Sequence, residues 1–183
     1  MNVLQALELG QFALWCQPLV AARDGSVDCV QASVRWHLPE GAVLPLCAFT
    51  DALARPATQQ LFALHMLCDA LAALRMWSAE GFELDMVLDL PLPVLGDVEF
   101  QQRVLDLLQQ AGVAPQRLSL RQAEAAGCCQ VSNLLDWLHV REAGCSQAAG
   151  EFIVSPQPMQ VLPAALRRWQ ASYAVLSAAD AFS

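Results

Sequence analysis

The chain has 183 residues, which is long enough for one domain with a substantial core and short for two. We therefore predict a single domain over residues 1–183. Hydrophobic residues make up 56% of the sequence and charged residues 15%. This apolar excess predicts either a large core or an apolar surface that a partner covers. The net charge is −8 and every basic residue is arginine, without dense basic clusters, which argues against direct binding of nucleic acid.

The seven cysteines are scattered along the chain, and no two of them form a Cys-x-x-Cys pair. This spacing argues against a zinc site and indicates small buried side chains in a reducing compartment. The first ten residues contain Glu8 and no basic residue, which is unlike a secretory signal. The apolar stretch over residues 61–77 is interrupted by three titratable residues, which argues against a membrane span. We expect a cytoplasmic protein that does not insert into a membrane.

The predicted elements alternate between strands and helices, which indicates an α/β architecture. A short helix over residues 1–9 precedes two strands over residues 12–22 and 27–35. Asp24-Gly25 between these strands is a turn signal, so we predict that they form an antiparallel hairpin. The elements predicted after the hairpin are a loop at 38–45, helices at 49–54, 58–79, 98–110, 133–143 and 163–179, and strands at 82–90, 117–121 and 152–154.

Short motifs along the chain resemble those of the EAL domain family in their order and spacing. Gln17-Pro18 is similar to the Gln-Pro of the family's first strand, and Arg35-Trp36 is similar to the Arg-Trp that follows its Glu-Ala-Leu motif. The other matching segments are Pro39-Glu40-Gly41, Trp77, Leu88-Asp89-Leu90, Val113-Ala114-Pro115, Arg117-Leu118, residues 140–145, Gly150 and Pro158-Met159. The resemblance covers residues 6–124 and 133–169.

The family hydrolyses cyclic di-GMP on a closed (β/α)8 barrel of roughly 250 residues. The chain lacks the middle of that barrel. The resemblance therefore implies an α/β fold in the form of an incomplete EAL-like barrel without several middle strands, with an antiparallel first strand pair.

The positions that carry the family's chemistry are changed in this chain. Gln31, Ala32 and Ser33 stand where the family has Glu-Ala-Leu, and the resemblance places Asp89 at its third-strand Asn and Arg121 at its fourth-strand Glu. The chain contains no Asp-Asp dipeptide and no lysine, so the family's paired aspartates and essential lysine have no counterpart. Because metal-dependent hydrolysis of a phosphodiester needs carboxylates to hold the metal, we expect no metal, no cofactor and no enzymatic activity.

Three functional hypotheses remain. The first is a catalytically inactive EAL-like regulator that acts through protein–protein interaction in a bacterial cyclic di-GMP, motility or virulence circuit. Its partner would be another protein or a second copy, because removing barrel strands leaves unpaired edges and apolar surface. The alternative is a non-hydrolysing cyclic di-GMP receptor that uses Gln17 and Arg35, since the family's residues at these positions reach the ligand. Residual phosphodiesterase activity is the third hypothesis.

Overall fold

The structure is a computed structural model and describes residues 2–122 and 129–180. Its helices are α1 (Val3–Glu8), α2 (Pro56–Ala79), α3 (Leu92–Leu95), α4 (Val98–Ala111), α5 (Leu134–Glu142) and α6 (Leu162–Asp180). Its strands are β1 (Phe12–Ala21), β2 (Val27–His37), β3 (Val43–Pro45), β4 (Asp85–Leu90), β5 (Leu118–Gln122), β6 (Cys129–Gln130), β7 (Gln147–Ala149) and β8 (Gln157–Pro158). Three short 3-10 turns lie at Leu46–Ala48, Thr50–Leu53 and Pro115–Arg117.

The strands form one open sheet. In the part of the chain that the structure describes, this sheet has eight strands in the order β5-β4-β2-β1-β7-β6, with β3 attached to β2 and β8 attached to β1. Strands β1 and β2 form the predicted antiparallel hairpin, in which Phe12 lies opposite Trp36. Strands β2, β4 and β5 run parallel to one another. The prediction of an incomplete α/β barrel is confirmed, because β5 and β6 remain the two ends of the strand order.

The first two strands alternate between a buried apolar face and a half-buried polar face. This alternation has the period of two that a strand with one covered face requires. The buried face carries Phe12, Leu14, Cys16, Val30, Ala32, Val34 and Trp36. The other face carries Ala13, Trp15, Gln17, Cys29, Gln31, Ser33 and Arg35, all half-buried. The sheet thus has one face inside the core and one polar face that stays open.

Helix α2 covers the apolar face of the sheet. Its buried side chains include Phe62, Met66, Leu67, Leu74 and Trp77. The indole N–H of Trp77 donates to the carbonyl of Met159 at 3.0 Å, which ties the helix to the chain after β8. Among the described residues α2 is also the one helix that is long and apolar enough to cross a membrane, but half of its most apolar window is buried in the fold, as expected of a core helix.

A second cluster of buried residues joins α5 and α6 to the β1–β2 hairpin. Trp137 and Trp169 meet edge to face with ring centroids 5.7 Å apart. The indole N–H of Trp169 donates to the carbonyl of Gly25 at 2.9 Å. Gly25 has φ +70, and a Cβ there would lie 2.5 Å from the ring of Tyr173. The turn that joins β1 and β2 therefore lies tightly against α6.

Several predicted elements differ from the structure. The strand predicted at residues 152–154 is wrong: these residues belong to a turn and an isolated bridge, and the strand of this region is β7. In place of the helix predicted at 49–54 the structure has a 3-10 turn, Thr50–Leu53, and the loop predicted at 38–45 contains β3. Pro56 begins α2, because proline has the backbone φ of a first helical residue and needs no N–H there.

Candidate functional site

A row of four side chains crosses the polar face of the sheet. Trp15 on β1 lies opposite Ser33 on β2, and Asp89 on β4 lies beside Arg121 on β5. Ala32 and Leu88 are neighbours in the β2–β4 pair, so continuing that register by one residue places Ser33 beside Asp89. The row therefore runs Trp15, Ser33, Asp89, Arg121 across four neighbouring strands.

A second row lies next to the first on the same face. Gln17 is opposite Gln31, Gln31 is beside Val87, and Val87 is beside Ser119. The structure thus brings together all but one of the predicted site residues. The exception is Ala32, which is fully buried on the apolar face, so it belongs to the core and not to the site.

Asp89 is the centre of this arrangement. The residue is 5% exposed. Its Oδ2 accepts a hydrogen bond from Nε2 of Gln31 at 2.7 Å, and its Oδ1 accepts from Nε of Arg121 at 3.0 Å and from Nη2 at 2.9 Å. A carboxylate this deeply buried requires a positively charged partner and hydrogen bonds to both oxygens, and it has both.

The residues of this face do not fit a divalent metal ion. Mg²⁺ requires near-octahedral oxygen coordination, supplied in part by carboxylates. Among the residues that the structure describes, no group of three or more His, Cys, Asp or Glu side chains is placed to hold a metal. Both carboxylate oxygens of Asp89 are already bound by protein groups, one of which is the guanidinium of Arg121.

Arg35 presents a positive charge on the same face. Its Nη1 donates to Oγ of Ser33 at 3.1 Å and to the carbonyl of Val34 at 3.2 Å. Its guanidinium carbon lies 5.9 Å from the centroid of the Trp15 ring, within the range of a cation–π contact. No carboxylate of the described residues pairs with it. Arg35 is thus held in place by neutral groups, and no described residue compensates its charge.

Gln17 has a structural contact on this face. Its Nε2 donates to the carbonyl of Val154 at 3.2 Å and links β1 to the turn that follows β7. Nε2 of Gln17 already donates to a backbone carbonyl, so a ligand that binds Gln17 would have to use the remaining hydrogen-bonding capacity of its side-chain amide. Arg35 is therefore the stronger candidate of the two predicted ligand-binding residues.

The charge of Arg121 also reaches a thiol on the polar face. Burial raises the pKa of Cys29, the negative charge of Asp85 raises it further, and the positive charge of Arg121 acts in the opposite direction. The net shift of the Cys29 pKa is upward, which favours the neutral thiol over the thiolate.

Trp15 and Ser119 are residues of the two rows that sequence reasoning missed. The signal for Trp15 was available, because it precedes Gln17 by two residues in a strand of period two. Its indole Nε1 is buried and has no hydrogen-bond acceptor among the described residues. Ser119 carries no such signal, since its place depends on how β5 registers with β4.

A cavity of ≈ 790 Å³ lies between α6 and residues 151–157, and no residue of the two rows lines it. Phe152, Trp169 and Arg168 are among its lining residues. We place the candidate site on the polar face instead, because buried hydrogen bonds, an ion pair and a guanidinium without a carboxylate partner among the described residues lie there.

The EAL domain family model matches residues 1–162, and the chain belongs to the EAL domain family. The predicted resemblance is thereby confirmed. The family places the chain among proteins related to cyclic di-GMP signalling. No curated protein sequence matches the chain.

The fold is shared with solved EAL structures. The cyclic di-GMP complex of the PaMucR phosphodiesterase has a TM-score of 0.76 at 16% identity, with 87% of this chain and 97% of that chain covered. The EAL enzyme Bd1971 with cAMP and cyclic di-GMP bound has a TM-score of 0.76 at 12% identity, with 91% of this chain and 67% of that chain covered. The FimX EAL domain from Pseudomonas aeruginosa bound to cyclic di-GMP has a TM-score of 0.70 at 14% identity, with 85% of this chain and 95% of that chain covered.

The prediction that the chain is not an enzyme is wrong. The chain belongs to the EAL family, and the structures it resembles include a phosphodiesterase and a protein described as an EAL enzyme. The prediction relied on the missing carboxylates at Gln31 and Arg121. Changes at individual positions of a site do not establish that the family's activity is absent.

Proposed function

We propose that the chain binds cyclic di-GMP on the polar face of its open sheet and acts in cyclic di-GMP signalling in the cytoplasm. The observation that carries this proposal is the set of contacts that Arg35 makes on this face. Its guanidinium has no carboxylate partner among the described residues and is held by Ser33, Val34 and the ring of Trp15. A guanidinium can donate two parallel hydrogen bonds to the oxygens of one phosphate.

The surroundings of Arg35 favour binding over a purely structural role. An arginine loses side-chain entropy when a ligand fixes it, and contacts that fix it in advance reduce this cost. Here three neutral groups have already fixed the guanidinium. The cyclic di-GMP complexes of PaMucR and FimX share the fold over 87% and 85% of this chain, which supports cyclic di-GMP as the ligand to test.

Isothermal titration calorimetry with cyclic di-GMP tests the proposal. We expect micromolar binding by the wild-type chain and a loss of roughly 10- to 100-fold for Arg35→Ala, the effect of removing a charge-assisted hydrogen bond. Arg23→Ala is the matched control, because the side chain of Arg23 is 89% exposed and paired with Asp24 at the hairpin turn. Wild-type affinity in Arg35→Ala would contradict the proposal. Chromatography of the same samples shows whether the ligand is cleaved.

Protein binding is a second candidate function, and the edge of the sheet favours it. Strand β5 ends the strand order, so one side of it has no neighbouring strand among the described residues. Beside it lies a groove of ≈ 410 Å³ whose lining is almost wholly apolar. The lining residues are Leu95, Phe100, Gln101, Val104, Leu105, Leu108, Pro115, Leu118 and Leu120. We take a second copy of the chain as the partner to test, since two identical edge strands can pair about a two-fold axis.

Sedimentation velocity tests this second candidate. We expect the wild-type chain to sediment as a dimer at micromolar concentration and Leu105→Glu to sediment as a monomer, because a charge in the groove would be buried by the partner. Leu105 is 51% exposed, so the substitution leaves the core intact. Leu135→Glu on α5, where Leu135 is 67% exposed, is the control that should remain dimeric. A monomeric wild-type chain would contradict a dimer at this edge.

A further inference from the structure

We propose that Arg121 is a second phosphate-contacting residue of the cyclic di-GMP site and that ligand binding needs no divalent cation. This inference rests on the proposed function. It starts from the finding that the site does not fit a metal ion, because the guanidinium of Arg121 already binds the Asp89 carboxylate that a metal would need.

The geometry places two guanidinium groups on either side of Asp89. The guanidinium of Arg35 turns toward Ser33, with Nη1 3.1 Å from Oγ. Ser33, Asp89 and Arg121 lie in one row on three neighbouring strands. Because neighbouring strands are separated by about 4.8 Å, the backbone positions of Ser33 and Arg121 are about 10 Å apart. A cyclic dinucleotide carries two phosphodiesters in one ring, so each guanidinium has a phosphate to bind.

Arg121 retains the capacity to bind an anion. It uses Nε and Nη2 on a single oxygen of Asp89, while Nη1 has no hydrogen-bond partner among the described residues. Its side chain is 24% exposed, in contrast to 7% for that of Asp89. The N–H groups of Arg121 that no described residue accepts are therefore the ones that would bind a ligand lying over the row.

The charge on this face favours an anion. Arg35 and Arg121 contribute two positive charges, and Asp89 contributes one negative charge. Asp85 lies on the same side of β4 and is exposed, but it is four residues before Asp89 and therefore roughly 13 Å away along the strand. Among the described residues, Arg35, Asp89 and Arg121 together give this part of the polar face a net positive charge, within a chain of net charge −8. A diester bound here is neutralised by guanidinium groups, and a divalent cation would have to displace Arg121 from Asp89.

The test is calorimetric titration of the full chain with cyclic di-GMP, first in EDTA and then in Mg²⁺. We expect the same affinity in both. Asp89→Asn should bind the ligand more tightly, because the guanidinium of Arg121 is released from its carboxylate. Arg121→Gln should weaken binding by roughly 10- to 100-fold.

A double variant separates ligand contact from folding. Arg121→Gln alone leaves Asp89 buried without its cation, which destabilises a fold strongly. Asp89→Asn/Arg121→Gln carries no buried charge, so we expect it to melt near the wild-type temperature and still to bind 10- to 100-fold more weakly. Wild-type affinity in the double variant, or weaker binding by Asp89→Asn, would overturn the role of Arg121. Loss of binding in EDTA would overturn the claim that binding needs no divalent cation. Absence of wild-type binding under both conditions would instead overturn the proposed function.

Discussion

Among the glycines that the structure describes, Gly150 is the one whose Cβ position comes closest to other backbone atoms. Its φ is +147, and a Cβ at this position would overlap the main chain of Val131. Backbone atoms cannot move aside as the end of a side chain can. The close approach positions the turn at 151–154, where the carbonyl of Val154 accepts the hydrogen bond from Gln17. One glycine thus supports one edge of the candidate site.

We therefore expect Gly150→Ala to lower the free energy of unfolding by about 3 kcal/mol or more, since it adds a backbone collision to an unfavourable φ. Gly10→Ala is the matched control: Gly10 has φ +62, but nothing lies within 4 Å of a Cβ there. Gly10→Ala should lower the free energy of unfolding by about 1 kcal/mol. Urea unfolding of both variants checks the prediction, and equal midpoints would contradict it.

The site residues differ in how far the sequence could predict them. Gln31, Ser33 and Arg35 share a face because β2 has a period of two, and this was readable from the chain. The contact of Asp89 with Arg121 and Gln31 was not readable, because it depends on the register among three strands that are far apart in sequence. The resemblance placed Arg121 at the family's fourth-strand Glu, and the structure adds that its charge is paired with Asp89.

At the scale of elements, α4 depends on its N-cap residue. Asp97 precedes the helix, and its Oδ1 accepts a hydrogen bond from the backbone N–H of Phe100 at 3.0 Å. Its Oδ2 accepts from Nε2 of Gln60 on α2 at 2.6 Å. The pKa of Asp97 is lowered, chiefly by the N–H of Phe100, because this hydrogen bond favours the ionised carboxylate. Asp97 therefore caps α4 and joins it to the core helix.

A group whose pKa is lowered by folding adds stability above its unfolded pKa, near 3.9, and loses it as the pH falls through the folded pKa. Asp97→Asn retains a capping oxygen, so we expect its melting temperature to be slightly lower than that of wild type at pH 7. We also expect its melting temperature to fall less than that of wild type as the pH is lowered into the acid range. Asp97→Ala loses the cap and should melt lower than Asp97→Asn. Thermal melts at pH 7 and in the acid range check this, with Glu99→Gln, a first-turn acid outside the cap, as control. Equal melting of Asp97→Ala and wild type would contradict it.

The long and strongly periodic elements were the predictable ones. The hairpin and the core helix agree with the structure within a few residues at each end. Strands β6, β7 and β8 are two or three residues long, which is too short for any periodic pattern to show. Their positions depend on pairing with β1 and with each other, which is a tertiary contact and not a local one.

At the scale of the whole molecule, the sheet is open and its two faces have separate roles. The apolar face accounts for much of the high hydrophobic content, because it packs under α2 and its neighbours. A second core joins α5 and α6 to the hairpin. We retain the prediction that residues 1–183 form one domain, since Val27 packs against both clusters of buried residues. The open polar face then presents Arg35 and Arg121 on a scaffold that both cores hold in place.

The side-chain Nε–Hε signals of arginine in an NMR titration with cyclic di-GMP test the central claim most directly. The chain has ten arginines and no lysine, so this spectrum is simple. We predict that the signals of Arg35 and Arg121 shift with the ligand, while those of Arg23 and Arg75 on distant surfaces do not. Shifts confined to Arg167 and Arg168 on α6, or no shift at saturating ligand, would contradict binding on the polar face.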